Sequence, residues 1–214
     1  MSDRGRGKSR RMRIVYTGSA AAFLSLTAVA CGTAPTPAAS PTGSAGPALV
    51  SPSVMPSTSR VGADCGMIPN TGPGSFTSLS TQQAVAAVAS NPQFSVFVAA
   101  IRKAALENRY NSSQAITLFV PENSAFAGLS ASDIKLLRTP GEVQKIIKYH
   151  VVASRITPEQ ISAGGRVTTL EGGSIELSKA GSDYLVGGAT VLCGNIATAN
   201  ATIYIINKVL LPPR

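Results

Sequence analysis

The chain is poor in the residues from which catalytic and metal sites are usually built. It has a single histidine among 214 residues, and Asp, Glu, Lys and Arg together make up only 14% of it. The carboxylates do not have the spacing of a calcium-binding loop. No Gly-rich segment is followed by a phosphate-binding lysine, and no Gly-x-Ser-x-Gly sequence marks a hydrolase nucleophile. We therefore expect no metal, no cofactor and no catalytic residue.

The formal net charge of +9 does not indicate a nucleic-acid-binding protein. Six of the 19 basic residues lie within the first thirteen positions, and 13 basic and nine acidic residues remain beyond residue 30. This remainder has neither a run of Lys and Arg nor interleaved aromatic residues. We expect no nucleic-acid partner.

The basic N-terminus is typical of an export signal. Basic residues precede the uncharged segment IVYTGSAAAFLSLTAVA, which ends in small residues directly before Cys31. This pattern resembles a bacterial lipoprotein signal, in which the cysteine carries acyl chains that hold the protein on a bilayer. We predict a signal peptide over residues 1–30 and lipid attachment at Cys31, with an ordinary secretory cleavage as the alternative. The pair Arg10-Arg11 leaves the choice between Sec and twin-arginine export open.

Residues 31–62 are rich in Pro, Ala, Ser, Thr and Gly and have no apolar periodicity. Such a composition buries too little apolar surface to offset the entropy of ordering. We predict a flexible tether between the anchor and a folded domain over residues 63–214. The protein is then expected to be exported and held at the outer face of the cell membrane, with partial release as an alternative.

The folded domain contains two cysteines, Cys65 and Cys193, which form an even pair in an exported protein. We predict a disulfide between them, and a two-cysteine metal site and two free thiols are the alternatives. With Cys31 lipidated, the single histidine leaves too few ligands for a Cys/His zinc cluster.

The folded domain has helical patterns in its first half and strand patterns in its second, which indicates an α+β fold. The segment AITLFV predicts a strand that is covered on both faces. Short strands separated by Gly-rich hairpin turns follow in the second half, and we interpret them as an antiparallel block. Helix starts are predicted at Asn91-Pro92, at Ser130 with Asp133, and at a capping box of Ser80 with Gln83.

Three motifs resemble the signature segments of the fasciclin (FAS1) domain family. They are ITLFVPENSAFAGL, KYHVV and ATIYIINKVLLPP, and the resemblance covers about residues 76–213. Together with the signal, the tether and the cysteine pair, they are most similar to the secreted and lipid-anchored fasciclin-domain antigens of mycobacteria and related actinobacteria. The resemblance implies an antiparallel β wedge or sandwich with helices packed around it. It also implies a protein that acts by binding and not as an enzyme.

The chain departs from the family pattern at three positions. Glu122 follows Pro121 where the family usually has threonine, Tyr204 stands where histidine is frequent, and Asn207 stands where aspartate is common. We therefore do not assume that a partner that contacts these side chains in relatives also binds this chain.

The resemblance implies adhesion at the cell surface, through non-covalent contact with an unidentified cell-wall, matrix, neighbouring-cell or host surface protein or glycan. In relatives the segment equivalent to Tyr149-His150 is implicated both in adhesion and in structural integrity. We therefore name Tyr149 and His150 as candidate contacts, with Glu122 and Asn123 in the loop after the predicted strand. One alternative is a carrier that holds a small apolar ligand in a groove between helices and sheet. A second is a hydrolase that uses Ser124 and His150.

Overall fold

A computed structural model of the chain describes residues 59–213, in which a helical half precedes a half made mostly of strands. The predicted signal peptide, Cys31 and residues 32–58 of the predicted tether lie outside the described residues. The helices are α1 (Phe76–Thr81), α2 (Ala84–Ala89), α3 (Ser95–Lys103), α4 (Glu107–Ser112), α5 (Asn123–Ala127), α6 (Ala131–Arg138), α7 (Pro140–Tyr149) and α8 (Pro158–Ala163). The strands are β1 (Ile116–Pro121), β2 (Val151–Val152), β3 (Gly165–Thr168), β4 (Ser174–Ala180), β5 (Asp183–Val186), β6 (Ala189–Ala197) and β7 (Ala201–Ile206). None of the described helices is long and apolar enough to cross a membrane.

These strands form one sheet in the order β2-β1-β7-β6-β5-β4-β3. An isolated bridge between Val152 and Thr169 joins its two ends, so the sheet is nearly closed. The predicted α+β class is confirmed, and β3 to β7 form the predicted antiparallel block. The sheet as a whole is mixed, because β1 pairs with β7 in parallel, with Ile116 opposite Ala201. A strand's own sequence does not reveal the direction of a partner so far along the chain.

Strand β1 is buried along its whole length, which confirms the prediction that it is covered on both faces. Ile116, Leu118 and Val120 belong to a cluster with the apolar faces of helices α2, α3 and α7. Phe119 belongs to a second cluster, in which it packs with Tyr204 and with residues of β4 to β6. The pair β1 and β7 therefore separates two apolar cores.

Local capping explains two of the predicted helix starts. Asn91 Oδ1 accepts a hydrogen bond from a backbone N–H two residues later at 2.9 Å, which caps the 3₁₀ helix Pro92–Phe94 that leads into α3. Ser130 Oγ accepts one three residues later at 3.2 Å, at the start of α6. The predicted capping box of Ser80 with Gln83 is wrong. Ser80 lies inside α1, where its hydroxyl donates to the carbonyl of Thr77.

The N-terminus of α2 is satisfied by a residue more than a hundred positions away. The Ala84 N–H donates to Asn200 Oδ1 at 2.8 Å. The Asn200 amide group also donates to the carbonyls of Tyr110 at 2.8 Å and Ser113 at 2.7 Å. Because Asn200 is only 3% exposed, these bonds form inside the protein and join α2, α4 and the start of β7.

The chain is already part of the fold at residue 59, within the segment predicted as tether. The Val61 N–H and carbonyl both pair with Gly194 on β6, at 3.3 and 2.7 Å. The predicted disulfide between Cys65 and Cys193 is present, and it fixes the same segment to the same strand. Gly194 itself lies against the ring of Tyr204, with no room for a side chain.

Glycines make the predicted hairpin turn between β5 and β6. Gly187 and Gly188 have φ of 56° and 74°, which are left-handed conformations that glycine adopts without steric cost. Two such residues in succession fit a tight hairpin between antiparallel strands.

Candidate functional site

Asn123, a candidate contact residue, holds two helices together. Its Oδ1 accepts a hydrogen bond from the Val96 N–H at 3.1 Å, which caps the first turn of α3. Its amide group donates to the Pro92 carbonyl at 3.0 Å and to Ser95 Oγ at 3.1 Å. Asn123 is the first residue of α5, but its side chain caps α3, a different helix.

Glu122 is half-buried and stands at the N-cap position of α5, without capping it through its side chain. Its carboxylate accepts a hydrogen bond from the Ser124 hydroxyl. It also borders an open depression of about 480 Å³, which Asp64, Met67 and Leu192 line as well. Of the four candidate contact residues, Glu122 combines partial exposure with a place beside a surface depression.

Tyr149 is buried and packs on Gly173, beside the turn between β3 and β4. Its hydroxyl donates to the Ser174 carbonyl at 2.9 Å. Burial raises the pKa of Tyr149, and the neighbouring Glu171 carboxylate raises it further. The residue connects α7 to the strands and presents little surface to a partner.

His150 is 1% exposed, and both of its ring nitrogens bond to the backbone. The Leu210 N–H donates to Nε2 at 3.0 Å, so the proton resides on Nδ1, which donates to the Ile146 carbonyl at 2.8 Å. The ring also lies 5.4 Å from the ring of Phe97. Burial lowers the pKa of His150 to about 4, although the bond to Ile146 opposes this effect. The imidazole is therefore neutral at pH 7 and ties the segment after β7 to α7.

The structure does not bring together the residues of the hydrolase alternative. Ser124 is exposed and donates to Glu122, while the buried His150 has no ring nitrogen left to receive a proton from a nucleophile. A serine hydrolase needs that direct hydrogen bond. Within residues 59–213, no three His, Cys, Asp or Glu side chains lie close enough together to hold a metal ion.

A groove that the sequence did not predict lies between α1, β6 and the loop that joins β2 to α8. We call it the arginine groove, because Arg60 and Arg155 both line it. It has a volume of about 450 Å³, within the usual range for a small-molecule site. Its lining is Arg60, Phe76, Thr77, Ser80, Arg155, Ile156, Thr157, Asn195, Ile196, Ala197 and Thr202.

The core holds the loop on one side of this groove in place. The Thr117 hydroxyl donates to the Ser154 carbonyl at 2.6 Å and accepts from the Ile156 N–H at 2.8 Å. The hydroxyl of the buried Tyr204 donates to the Ile156 carbonyl at 2.8 Å. The backbone on both sides of Arg155 is therefore fixed by two side chains from the central strands.

The Arg155 side chain lies across the start of β7. Its Nη1 donates to the Ala201 carbonyl at 3.0 Å and to Thr202 Oγ1 at 3.3 Å. This orients an exposed guanidinium along the groove wall. A positioned Arg matches a carboxylate or phosphate better than a mobile Lys does.

Arg60, near the start of the described residues, lies on the opposite wall of the arginine groove. Its guanidinium carbon lies 3.6 Å from the centre of the Phe76 ring, in cation–π geometry. The residues on either side are fixed to β6, because the Ser59 carbonyl accepts from Asn195 Nδ2 at 3.0 Å and Val61 pairs with Gly194.

A model of the fasciclin domain matches residues 92–212, more than half of the sequence. The chain belongs to the fasciclin-domain family. The match includes all four candidate contact residues and Arg155, but it begins after Arg60 and Phe76.

The fasciclin-domain relatives include two proteins of Mycobacterium bovis. The immunogenic protein MPB70 is 38% identical over 149 residues, which cover 67% of this chain and 76% of that protein. The cell surface glycolipoprotein MPB83 is 33% identical over 190 residues, which cover 85% of this chain and 84% of that protein. This fasciclin-domain chain is thus related to mycobacterial cell-surface antigens.

One solved structure of the family also matches, a FAS1 domain pair from the insect cell adhesion molecule fasciclin I. The TM-score is 0.46 at 24% sequence identity, and the match covers 57% of this chain and 46% of that one. This chain therefore spans less than half of that domain pair.

Sequence reasoning missed the arginine groove in this fasciclin-domain protein. Arg60 is the one charged residue in residues 31–62, and that isolation is the signal that could have drawn attention to it. Arg155 has no comparable signal, because its role depends on hydrogen bonds to Ala201 and Thr202 that only the folded chain forms.

Proposed function

We propose that this fasciclin-domain protein is a lipoprotein of the cell surface that acts by non-covalent binding, as an adhesive module. The observation that carries the proposal is the 33% identity to the cell surface glycolipoprotein MPB83. That similarity covers 85% of the chain, so it extends beyond residues 59–213 into the N-terminal region. The partner is a component of the cell wall, the matrix, a neighbouring cell or a host surface.

The proposed mechanism is display of a rigid domain. Lipid at Cys31 holds the chain on the outer face of the membrane, and the segment up to residue 58 gives the domain reach. Two acyl chains suffice for stable anchoring, whereas one gives marginal binding. The disulfide Cys65–Cys193 fixes the start of the domain to β6, so the tether joins a segment that is itself held by the fold.

Glu122 is the side chain we assign to partner contact. It is half-buried at the edge of an open depression, and a partner that binds there removes it from water. The polar side-chain atoms of Asn123, Tyr149 and His150 bond to other parts of the fold, so we assign these residues to the structure and not to the contact.

The anchor is tested by expressing the full chain and a Cys31→Ala variant in an actinobacterial host. After detergent phase separation, the unaltered chain is expected in the detergent phase, with a mass increased by acyl groups. The variant is expected in the aqueous phase with an unmodified mass. An unaltered chain that is soluble and unmodified would refute the lipoprotein assignment.

The binding function is tested with intact cells that display the full chain. The measurement is the fraction of these cells that is retained on immobilised cell-envelope and matrix preparations. The display is expected to increase retention, and Glu122→Lys to abolish most of the increase, because it reverses the charge at the contact. Glu176→Lys is the matched control, since Glu176 is exposed on β4, away from that depression. No increase with the unaltered chain would refute adhesion, and equal losses in both variants would refute the role of Glu122.

A further inference from the structure

The arginine groove is not needed for adhesion through Glu122, and its chemistry indicates a small ligand. Four of its lining residues have apolar side chains, namely Phe76, Ile156, Ile196 and Ala197. A site of this kind, apolar with a few fixed polar groups, is the usual form of a small-molecule pocket.

The charged residues that line the arginine groove are all of one sign within the described part of the chain. Among residues 59–213 they are Arg60 and Arg155, and no Asp or Glu side chain lines the groove. Both side chains are exposed, and Arg60 has no carboxylate partner among the described salt bridges. The groove therefore combines apolar lining residues with two cations that have no counter-charge among its described lining residues.

We propose that the arginine groove binds a single-chain amphiphile with a carboxylate head group, such as a fatty acid. The carboxylate lies between Arg60 and Arg155, and the alkyl chain lies along Phe76, Ile156 and Ile196. A guanidinium donates two parallel hydrogen bonds to a carboxylate, and such charge-assisted bonds are among the strongest in proteins.

The geometry at Phe76 favours this ligand over a sugar. The ring of Phe76 has the Arg60 guanidinium 3.6 Å from its centre, so that face is not free to stack on a sugar. An alkyl chain needs neither a free ring face nor further donors.

The test uses the full chain carrying Cys31→Ser, so that no acyl group of its own competes. Four probes with the same twelve-carbon chain are compared by calorimetry and native mass spectrometry: dodecanoate, dodecanol, dodecyl phosphate and dodecyltrimethylammonium. We expect dodecanoate to bind one to one. Dodecanol and dodecyltrimethylammonium lose the charge-assisted pairing and are expected to bind about tenfold more weakly or not at all. Dodecyl phosphate keeps this pairing, but more charge must be removed from water when its head group binds, so it is expected to bind no more tightly than dodecanoate.

Arg60→Gln is the main variant, because the Arg60 side chain makes a ring contact and no described hydrogen bond, so the fold does not depend on it. It is expected to weaken dodecanoate about tenfold while dodecanol is unaffected. Ala197→Trp fills the groove from an exposed position and is expected to abolish binding of all probes. Arg166→Gln, an exposed arginine on β3, is the charge-matched control and is expected to leave binding unchanged.

The outcomes separate this proposal from the adhesive function. Failure of dodecanoate to bind, equal affinity for dodecanol, or tighter binding of dodecyl phosphate would each overturn the carboxylate assignment. Equal effects of Arg60→Gln and Arg166→Gln would overturn the role of the groove. Retention of cells on envelope preparations depends on Glu122 and is expected to be the same in the Arg60→Gln variant.

Discussion

His150 should make the domain lose stability on mild acidification. Its pKa in the folded protein is about 4, against 6.5 for an ordinary histidine. Above pH 6.5 the imidazole is neutral in both states and contributes no pH dependence. Below pH 6.5 the His150 imidazole is protonated in the unfolded chain but stays neutral in the folded chain. The free energy of unfolding therefore falls until the folded state also protonates near pH 4.

The size of the effect follows from the two pKa values. At 1.36 kcal/mol per pH unit, the loss is about 2 kcal/mol between pH 7.5 and pH 5 and about 3 kcal/mol by pH 4. Small domains are stable by only about 5–15 kcal/mol, so a change of this size is readily measured. Stopping at pH 5 keeps the measurement above the range in which Asp and Glu ordinarily titrate.

The assay is urea unfolding of the oxidised chain, followed by circular dichroism at several pH values. A His150→Gln variant keeps an acceptor for the Leu210 N–H but does not titrate. It should be about 1–3 kcal/mol less stable at pH 7.5, and its stability should be nearly constant down to pH 5. An equal pH dependence in the unaltered chain and in the variant would refute the assignment of a buried neutral histidine. An unaltered chain that is more stable at pH 5 than at pH 7.5 would refute it as well.

Three further substitutions test how the fold is held together, each by urea unfolding. Cys65→Ser with Cys193→Ser opens a bridge between residues 128 positions apart and should lower the free energy of unfolding by about 4 kcal/mol; an unchanged midpoint would contradict a structural bridge. Asn200→Ala leaves the N–H at the start of α2 and two carbonyls without their partner and should cost about 3 kcal/mol, with earlier amide exchange in α2 than in the sheet. Gly194→Ala places a methyl group against a buried tyrosine ring and should lower the free energy of unfolding by about 1–3 kcal/mol. In the control Gly66→Ala the methyl group meets no neighbouring atom, and the loss should be less than about 0.5 kcal/mol. Similar losses in the two variants would refute the crowding argument.

The features that the sequence predicted well are those in which neighbouring residues determine the outcome. Asn91 and Ser130 cap their helices through backbone groups two or three residues away, so the pattern and its cause lie in the same short segment. The dense apolar sequence of β1 likewise indicated burial on both faces. The pairing of Cys65 with Cys193 needed no geometry, because no other cysteine remained once Cys31 was assigned to lipid.

The features that were missed depend on residues far apart in the chain. The start of α2 was assigned to a local capping box of Ser80 with Gln83, but Asn200 supplies the acceptor from the far end of the domain. Asn123 lies in a family motif and caps α3 instead of its own helix. A tertiary contact replaces the local one in both cases, and a sequence pattern read over ten residues does not contain it.

The same long-range pairing explains why the arginine groove lies beside the family's signature strands. The parallel register of β1 and β7 sets Phe119 opposite Tyr204 and Thr117 opposite Thr202. Thr117 and Tyr204 then hold the loop that carries Arg155, and Thr202 accepts from its guanidinium. Tyr204 thus supplies a hydroxyl that reaches this loop. Tyr204→Phe should therefore weaken dodecanoate binding in a protein that still folds, because the loop loses one of its three hydrogen bonds to the central strands while the ring of residue 204 keeps its packing.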